Sequence, residues 1–307
     1  MSKPIIVAGS LNMDFVVQMT KLPHPGETVR GWGFQMLPGG KGANQACAVG
    51  RLGGLGKMVG RVGEDVFGER LKASLESAGV DTGCVLKTPG ESTGVALIFV
   101  QEGGQNMIVI ASGSNGLFKP KDLDAAAKSF QAGGFLLLQL ESPMETVETA
   151  AALGRSHGMS TILDPAPARP LGPALLANVD ILTPNESEAL ILLGGHASTV
   201  TLEEAPRIAV ELRKLGPRCV ILKMGDKGAW LSDASADKHF PARKVDAVDA
   251  TAAGDTFNGA LAVALAEGRS MEDAIRFANC AAAISVTRLG AQASIPARSE
   301  VDSLLSG

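Results

Sequence analysis

A single carboxylate, Asp255, follows a turn of small residues in the stretch TAAGDTFNGAL (251–261). The small side chains of Ala252, Ala253 and Gly254 allow backbone N–H groups to converge, and a helix that begins near Asp255 would direct its positive end to the same point. A carboxylate beside such an anion site could accept the proton of an attacking hydroxyl during phosphoryl transfer. Taken alone, the stretch favours the plainer alternative that Asp255 caps the helix, because Asp is a preferred N-cap residue.

A second glycine-rich stretch, PGGKGANQA (38–46), opens another helical pattern. It is not a P-loop, because Lys41 is not followed by Ser or Thr, and the lack of GxGxxG argues against a dinucleotide-binding fold. The functional interpretation is that Gly39 and Gly40 let a ligand approach the backbone while Lys41 and Asn44 donate hydrogen bonds to it. The alternative is an ordinary turn at a helix start.

Polar side chains also follow several apolar runs that are typical of strands. Asn12 and Asp14 could grip vicinal hydroxyls, although a turn-forming Asn/Asp pair is the simpler interpretation. Glu141 could reach a sugar hydroxyl. Asn185 and Glu188 lie three positions apart at a helix start, where they could handle phosphate and Mg2+-bound water. The alternative is that Glu186 and Glu188 simply favour the helix N-terminus.

Five short apolar runs are typical of strands buried on both faces of a parallel sheet. They cover residues 5–7, 135–140, 160–165, 179–184 and 219–225. Helical patterns lie between the later runs, and this alternation predicts right-handed βαβ units in an α/β fold with a mainly parallel central sheet flanked by helices. Ligands of such sheets bind at the carboxyl ends of the strands, where several of these polar residues fall.

Two segments, about 11–37 and 93–111, have strand-type residues separated by Gly, Pro or Asn turns such as HPGE and EGGQN. We expect them to form a small antiparallel sheet that projects from the main fold as a lid or a dimer surface. The chain from 1 to 307 is then one large domain into which the lid is inserted.

Composition narrows the class of protein. The 307 residues are 45% hydrophobic and 20% charged, which is typical of a folded globular enzyme. A net charge of -4 without a basic run argues against nucleic acid as a partner and favours a small ligand. The four cysteines lack CxxC spacing, so we expect buried thiols in a reducing compartment. No segment suits a signal peptide or a membrane span, which predicts a cytoplasmic protein without a membrane partner.

Six motifs together carry a resemblance to a known family: GGKGANQA, GESTGVALIFV, QLESP, PAPAR, TPNESEA and AAGDTFNGAL. The chain resembles the ribokinase-like (pfkB) family of sugar and nucleoside kinases from Gly9 to Pro296. The resemblance implies an enzyme that uses ATP, Mg2+ and K+ to phosphorylate the 5-hydroxyl of D-ribose. It also implies that Asp255 is the general base and that Ala253 and Gly254 belong to the anion hole for the transferred phosphoryl group.

By the same resemblance, three sets of residues match the binding positions of the family. The ribose-binding positions are Asn12, Asp14, Gly40, Lys41, Asn44 and Glu141. The nucleotide-binding positions are Asn185, Glu188, Lys223, Gly225, Gly228, Gly254 and Asn279, with Glu188 also tied to Mg2+. The positions around a monovalent cation, usually K+, are Asp249, Thr251, Ser285, Arg288, Gly290 and Ser294.

Several residues depart from the family pattern. Lys223 stands where Thr is common, Ala250 replaces a usual Thr, and Asn279 occupies a position that can be His, which concerns nucleotide preference and cation affinity. Asn12 favours ribose, because related deoxyribokinases tend to carry Met at that place. Another sugar or nucleoside kinase and a non-catalytic sugar-binding regulator remain alternatives. The resemblance also implies a homodimer joined through the lid sheets.

Overall fold

The computed structural model of the chain describes residues 3–103 and 106–306. The strands in these residues are β1 (Pro4–Ala8), β2 (Asn12–Met19), β3 (Gly31–Gly39), β4 (Leu55–Gly63), β5 (Asp81–Thr88), β6 (Gly94–Gln101), β7 (Asn106–Ala111), β8 (Phe135–Leu138), β9 (Ser160–Leu163), β10 (Ile181–Leu182), β11 (Cys219–Lys223), β12 (Ala229–Ser232) and β13 (Asp237–Phe240). The α-helices are α1 (Lys41–Arg51), α2 (Val66–Ser77), α3 (Met144–Ser156), α4 (Pro173–Leu176), α5 (Glu186–Leu192), α6 (Ala205–Lys214), α7 (Ala253–Ala266), α8 (Met271–Ser285) and α9 (Arg298–Ser306).

The larger of two sheets contains nine of the described strands in the order β13-β12-β11-β10-β9-β8-β1-β4-β5. Strands from β11 to β5 pair in parallel, and β12 and β13 add an antiparallel edge. The five runs predicted as strands are β1, β8, β9, β10 and β11, which are neighbours in the middle of this sheet. The predicted α/β fold class with a mainly parallel central sheet is confirmed.

The other four strands of this sheet escaped prediction because they lie toward its edges, where burial on both faces is incomplete. Strand β4 has the sequence LGKMVGRVG, in which glycines and charges interrupt the apolar run. Strand β13 has the sequence DKHF and buries only Phe240. Edge strands carry polar residues that discourage pairing with other chains, so hydrophobicity alone does not reveal them.

Helices cover both faces of the central sheet, and the alternation of side chains along β1 shows how the two cores are divided. Ile5 and Val7 join a cluster with apolar residues of α1, α7 and α8, while Ile6 and Ala8 join a cluster with residues of α3, α4 and α6. Successive strand residues point to opposite faces, so a run that is apolar throughout serves both cores. Because helices cover both faces of the sheet, the loops at the carboxyl ends of the parallel strands are where a ligand is expected to bind.

The smaller sheet has the order β3-β2-β6-β7 among the described strands. Its two outer pairs are antiparallel, but β2 and β6 pair in parallel, so the prediction of an antiparallel sheet is wrong for the central pair. The reason is that β2–β3 and β6–β7 are separate hairpins from distant parts of the chain that meet side by side. In the predicted turn EGGQN, Gly104 and Gln105 lie outside the described residues.

Two further expectations from the sequence concern the state of the cysteines and the presence of membrane-spanning helices. Cys47, Cys84, Cys219 and Cys280 are free and buried, as expected from their spacing. None of the helices within residues 3–103 and 106–306 combines the length and apolar character needed to cross a bilayer.

Candidate active site

Helix α7 begins in a backbone conformation that is unusual for its residue type. Ala252 precedes the helix with φ of 58°, in the left-handed region, and is the one described residue other than glycine with positive φ. Such a conformation costs about 1–3 kcal/mol and persists where the surrounding structure enforces it, often at functional sites. The turn allows α7 to begin at Ala253, so that the backbone of Ala253 and Gly254 forms the first turn.

Asp255 does not cap this helix, so the capping interpretation is wrong. The residue lies inside the first turn and is buried, and the cap position belongs to Ala252. Its carboxylate instead accepts two hydrogen bonds from α1: Oδ2 from Asn44 Nδ2 at 3.0 Å and Oδ1 from Gln45 Nε2 at 3.1 Å. Burial, the largest cause, raises the pKa of Asp255 to about 6, while the charge of Lys41 opposes the rise.

Loops after neighbouring strands bring more charge to the same place. Asp164 follows β9 and its Oδ1 accepts a hydrogen bond from Lys223 Nζ, at the end of β11, at 2.9 Å. Both side chains are largely buried. A Cβ added to Gly254 would lie 3.2 Å from Lys223 Nζ, so the ammonium stands beside the first turn of α7. Burial alone would lower the pKa of Lys223. The negative charges of Asp164, Glu188 and Asp255 outweigh this effect, so the pKa is raised.

The sugar-side residues predicted from the sequence converge near Asp255. Asp14 on β2 is buried, and burial together with the charges of Glu141 and Asp255 raises its pKa to about 7. Asn12 is also buried, and its Oδ1 accepts a hydrogen bond from Asn115 Nδ2 at 2.8 Å. Both side chains belong to β2 itself, so the interpretation of this pair as a turn is wrong.

The start of α1 is fitted closely to β2 and to Glu141. Gly40 has φ of 88°, and a Cβ there would lie 2.6 Å from the backbone nitrogen of Asn12, so glycine is required. Glu141 Oε2 accepts hydrogen bonds from Ser10 Oγ at 2.5 Å and from the backbone N–H of Lys41 at 3.2 Å. Burial lowers the pKa of Lys41, but the charges of Asp255, Asp164 and Glu141 outweigh it and raise the pKa.

A cavity of about 340 Å³ extends from Glu141 toward the smaller sheet. Its lining includes Ile110 of β7 and Arg169 in the loop after β9. The cavity therefore opens between the central fold and the smaller sheet, on the side where the polar residues converge.

The predicted nucleotide-side residues form a second group at adjacent strand ends. Asn185 caps α5, and the carboxylate of Glu188 accepts a hydrogen bond from the backbone N–H of Asn185 at 2.7 Å, so this pair stabilises the start of the helix. The backbones of Asn185 and Lys223 pair as neighbouring strands. Burial raises the pKa of Glu188, and the charge of Lys223 opposes this.

The turn after β11 and helix α8 meet at one carbonyl. Gly225 and Gly228 have positive φ, and a Cβ on Gly228 would lie 2.1 Å from the carbonyl oxygen of Phe240. The same oxygen accepts a hydrogen bond from Asn279 Nδ2 at 3.1 Å. The structure thus brings Gly228 and Asn279 together at the end of β13.

Some of the residues predicted to surround a cation lie in contact with one another, and Asp249 is at their centre. Asp249 accepts hydrogen bonds from Thr251 N at 2.9 Å and from Gly290 N at 2.8 Å, and it donates its own N–H to the carbonyl of Val286 at 3.1 Å. Ser285 lies next to Val286 at the end of α8.

Two further residues of the predicted cation set make other contacts. The Arg288 guanidinium pairs with Glu300, and Ser294 Oγ donates to the carbonyl of Ala291 at 2.8 Å. Among the described residues, no hydrogen bond joins either side chain to Asp249. A role of Arg288 therefore depends on its backbone carbonyl, as the resemblance implies, whereas the hydroxyl of Ser294 keeps lone pairs that could bind a cation.

Sequence reasoning missed several buried polar residues of the site. Gln45, Gln139 and Asp164 form one connected set with Asp255, and Asn115 holds Asn12. A signal was present, because Gln139 and Asp164 each end an otherwise apolar run at the carboxyl end of a parallel strand. Their partners lie about one hundred or more positions away in the chain, which the spacing of one motif cannot reveal.

Comparisons with known proteins identify the family of the chain. Residues 2–298 match the model of the pfkB family carbohydrate kinase. The ribokinase of Bacillus subtilis is 42% identical over 98% of this chain and 99% of its own, and the deoxyribokinase of Salmonella typhi is 38% identical over 98% of both. The structure of Arabidopsis thaliana ribokinase complexed with ribose and ATP superposes with a TM-score of 0.91 at 36% identity, covering 100% of both chains. The chain belongs to the pfkB family of carbohydrate kinases.

Proposed function

We propose that the chain transfers the γ-phosphoryl group of ATP to the 5-hydroxyl of D-ribose, giving ribose 5-phosphate and ADP. The observation that carries the proposal is the buried carboxylate of Asp255 on the first turn of α7, between the sugar-side and nucleotide-side groups. Relatives named as ribokinases, one of them solved with ribose and ATP, support this substrate pair. A cytoplasmic location fits a co-substrate such as ATP and the free cysteines.

The proposed reaction is a direct transfer with Asp255 as general base. The carboxylate accepts the proton of the 5-hydroxyl while that oxygen attacks the γ-phosphorus and the bond to the β-phosphate oxygen of ADP breaks. With a pKa of about 6, Asp255 is mostly ionised at neutral pH and can accept this proton. The N–H groups of Ala253 and Gly254 and the positive end of α7 would stabilise the charge on the transferred group.

Substrate positioning is assigned to the two polar groups around Asp255. On the sugar side we assign Asn12, Asp14, Gly40, Lys41, Asn44 and Glu141, and on the nucleotide side Asn185, Glu188, Lys223, Gly225, Gly228, Gly254 and Asn279. Hydrogen bonds from rigid elements fix several of these side chains before substrate binds. Groups held in advance lose little entropy on binding, and the reacting atoms meet in the required geometry.

Two cations are part of the proposal. Glu188 offers carboxylate oxygens, which suit Mg2+, and Mg2+ would offset charge on the β- and γ-phosphates. The loops of Asp249 and Gly290 suit K+, with oxygen donors from Asp249, Thr251, Ser285, Arg288, Gly290 and Ser294. Burial opposes ionisation of Asp249, but hydrogen bonds from Thr251 and Gly290 prevail and lower its pKa, so the carboxylate is charged at neutral pH.

The first test is ADP release from ATP and Mg2+ in the presence of ribose, with and without K+. We expect turnover that depends on ribose and rises when K+ replaces choline, a cation too large for a site of protein oxygens. Deoxyribose, fructose and adenosine are assayed in parallel. Faster turnover of one of these would contradict ribose as the substrate, and no turnover with any of them would favour a sugar-binding regulator.

Asn12 provides a test of sugar preference. We expect Asn12→Met to lower kcat/KM for ribose about 10-fold, the value of one or two lost hydrogen bonds, while kcat/KM for deoxyribose changes less. The volume-conserving change Met13→Leu, at the next position of β2, is the control. Equal losses for both sugars would show that Asn12 does not read the 2-hydroxyl.

A homodimer joined through the smaller sheets is also proposed, with these sheets acting as lids. The smaller sheet exposes large apolar side chains, including 61% of Phe34 and 53% of Ile108, which a second copy could cover. We expect light scattering to give twice the chain mass of 31.5 kDa. The double change Phe34→Glu with Ile108→Glu should yield monomer, whereas Leu55→Glu on the central sheet should not. A monomeric wild-type chain would contradict the dimer.

A further inference from the structure

The side chain of Gln45 touches both buried carboxylates of the active site. Its Nε2 donates to Asp255 Oδ1 at 3.1 Å and to Asp164 Oδ2 at 3.0 Å, and its Oε1 accepts from Gln139 Nε2 at 2.7 Å. An amide nitrogen has two hydrogens, so one bond to each carboxylate uses both of them. Gln45 itself is buried on α1.

The orientation of this amide follows from its partners. Ionised Asp255 and Asp164 can only accept hydrogen bonds, so the amide oxygen in the same place would face two acceptors. Gln139 then completes the arrangement, because its donor meets the remaining oxygen of Gln45. The side chain of Gln45 is therefore held in a single orientation by three partners.

We propose that Gln45 is a positioning residue for the phosphoryl transfer, whose amide fixes the orientation of the Asp255 carboxylate and keeps it apart from Asp164. The inference rests on the proposed function. Asn44 holds Oδ2 of Asp255 and Gln45 holds Oδ1, so the plane of the carboxylate is set from α1.

Gln45 also connects the general base to the nucleotide side. Lys223 binds Oδ1 of Asp164, and Gln45 binds Oδ2, so one carboxylate joins the ammonium to the amide that orients Asp255. Without the amide, two buried carboxylates would face each other with no donor between them. Like charges at close range raise the pKa of one partner, so a smaller fraction of Asp255 would be ionised at neutral pH.

Other charged groups lie around Asp255. Asp14 from β2, Lys41 from α1, Asp164 after β9 and Lys223 from β11 act on Asp255 itself, while Glu141 after β8 and Glu188 from α5 act on Asp14, Lys41 and Lys223 beside it. The variants of Gln45 leave all of these groups in place. A change in the pH profile therefore reports the loss of the amide.

The test uses Gln45→Met, which keeps the length of the side chain and removes both donors. The full-length chain is assayed for kcat, for KM of ribose and of ATP, and for the pH dependence of kcat. Val49→Ala, one turn further along the same helix, is the control for destabilisation, because Val49 is buried and packs on apolar neighbours. Melting temperatures are measured for both variants.

We expect Gln45→Met to lower kcat about 30-fold at neutral pH, with each KM changed less than about threefold, since a misplaced reacting group costs up to about 100-fold. The acidic limb of the kcat profile should move upward by about one pH unit. A purely structural role would lower the melting temperature in both variants and leave the acidic limb unchanged. A kcat within threefold of that of Val49→Ala, with an unshifted limb, overturns the proposal.

A second variant and an assay of the wild type complete the test of Gln45. If Gln45→Met does not fold, Gln139→Met decides, because it frees the amide of Gln45 to rotate. An upward shift of the acidic limb with a several-fold loss of kcat supports the positioning role, and an unchanged profile overturns it. The wild type is assayed first: absence of turnover contradicts the proposed function, whereas normal turnover with an unaffected variant contradicts only the role of Gln45.

Discussion

The substitution Asp255→Asn is expected to lower kcat for ribose phosphorylation by about 1,000-fold, because it removes the one group assigned to accept the proton of the 5-hydroxyl. Asparagine keeps the shape of the side chain but cannot take up a proton. Binding of ribose, measured by calorimetry, should weaken far less than kcat, since the sugar-side contacts remain. The remaining rate would come from the anion hole and from positioning.

The control for this variant is Asp273→Asn, which changes an acid in the first turn of α8, on the surface and away from the site. It should leave kcat unchanged. A fall of less than about tenfold in Asp255→Asn would contradict the assignment of the base, provided that its melting temperature shows a folded protein. Loss of ribose binding together with kcat would instead indicate that Asp255 holds the sugar.

The wild-type pH profile follows from the same carboxylate. Burial raises the pKa of Asp255 to about 6, and the base is active only when ionised. Activity should therefore be present above pH 6 and be lost as the pH falls through this value, well above the usual range for aspartate. Proton uptake by Asp14, with a pKa of about 7, is expected to affect the KM of ribose in the same range, because we assign Asp14 to the sugar side.

The strands that could be predicted from the sequence are those whose structure depends on their own residues rather than on distant parts of the chain. The middle strands have apolar runs because both faces are buried, so β1, β8, β9, β10 and β11 could be recognised without a structure. Strand β13 lies at an edge with polar side chains and could not. The parallel pairing of β2 with β6 is set by contact between two hairpins that are distant in sequence.

The site shows the same limit. Because Asp is a preferred N-cap residue, the local sequence favours a capping role for Asp255. No local signal could show that Asn44 and Gln45 on another helix hold its carboxylate. The sequence predicts a helix that begins near Asp255, but the left-handed conformation of Ala252 lets α7 begin two residues earlier. The motif resemblance predicted which groups form the site, while the contacts among them required the fold.

Lys223 is the departure from the family pattern with the largest expected consequence. It stands where Thr is common, and the structure directs its ammonium to the first turn of α7, where a Cβ on Gly254 would lie 3.2 Å away. A buried positive charge at this point would stabilise charge on the transferred phosphoryl group more strongly than a hydroxyl could. The pair with Asp164 holds the ammonium in this position.

We therefore expect Lys223→Met to lower kcat/KM for ATP about 100-fold, the usual size of one lost electrostatic contact to a transition state. It should also destabilise the fold by about 3 kcal/mol, because Asp164 stays buried without its cationic partner. Lys223→Arg keeps the charge and should retain more activity than Lys223→Met. The control Lys57→Met removes an ion pair with Asp81, at the far end of the strands, and should leave the kinetics unchanged. If Lys223→Met loses stability but keeps its kcat/KM for ATP, the lysine is a structural partner of Asp164 and takes no part in the transfer.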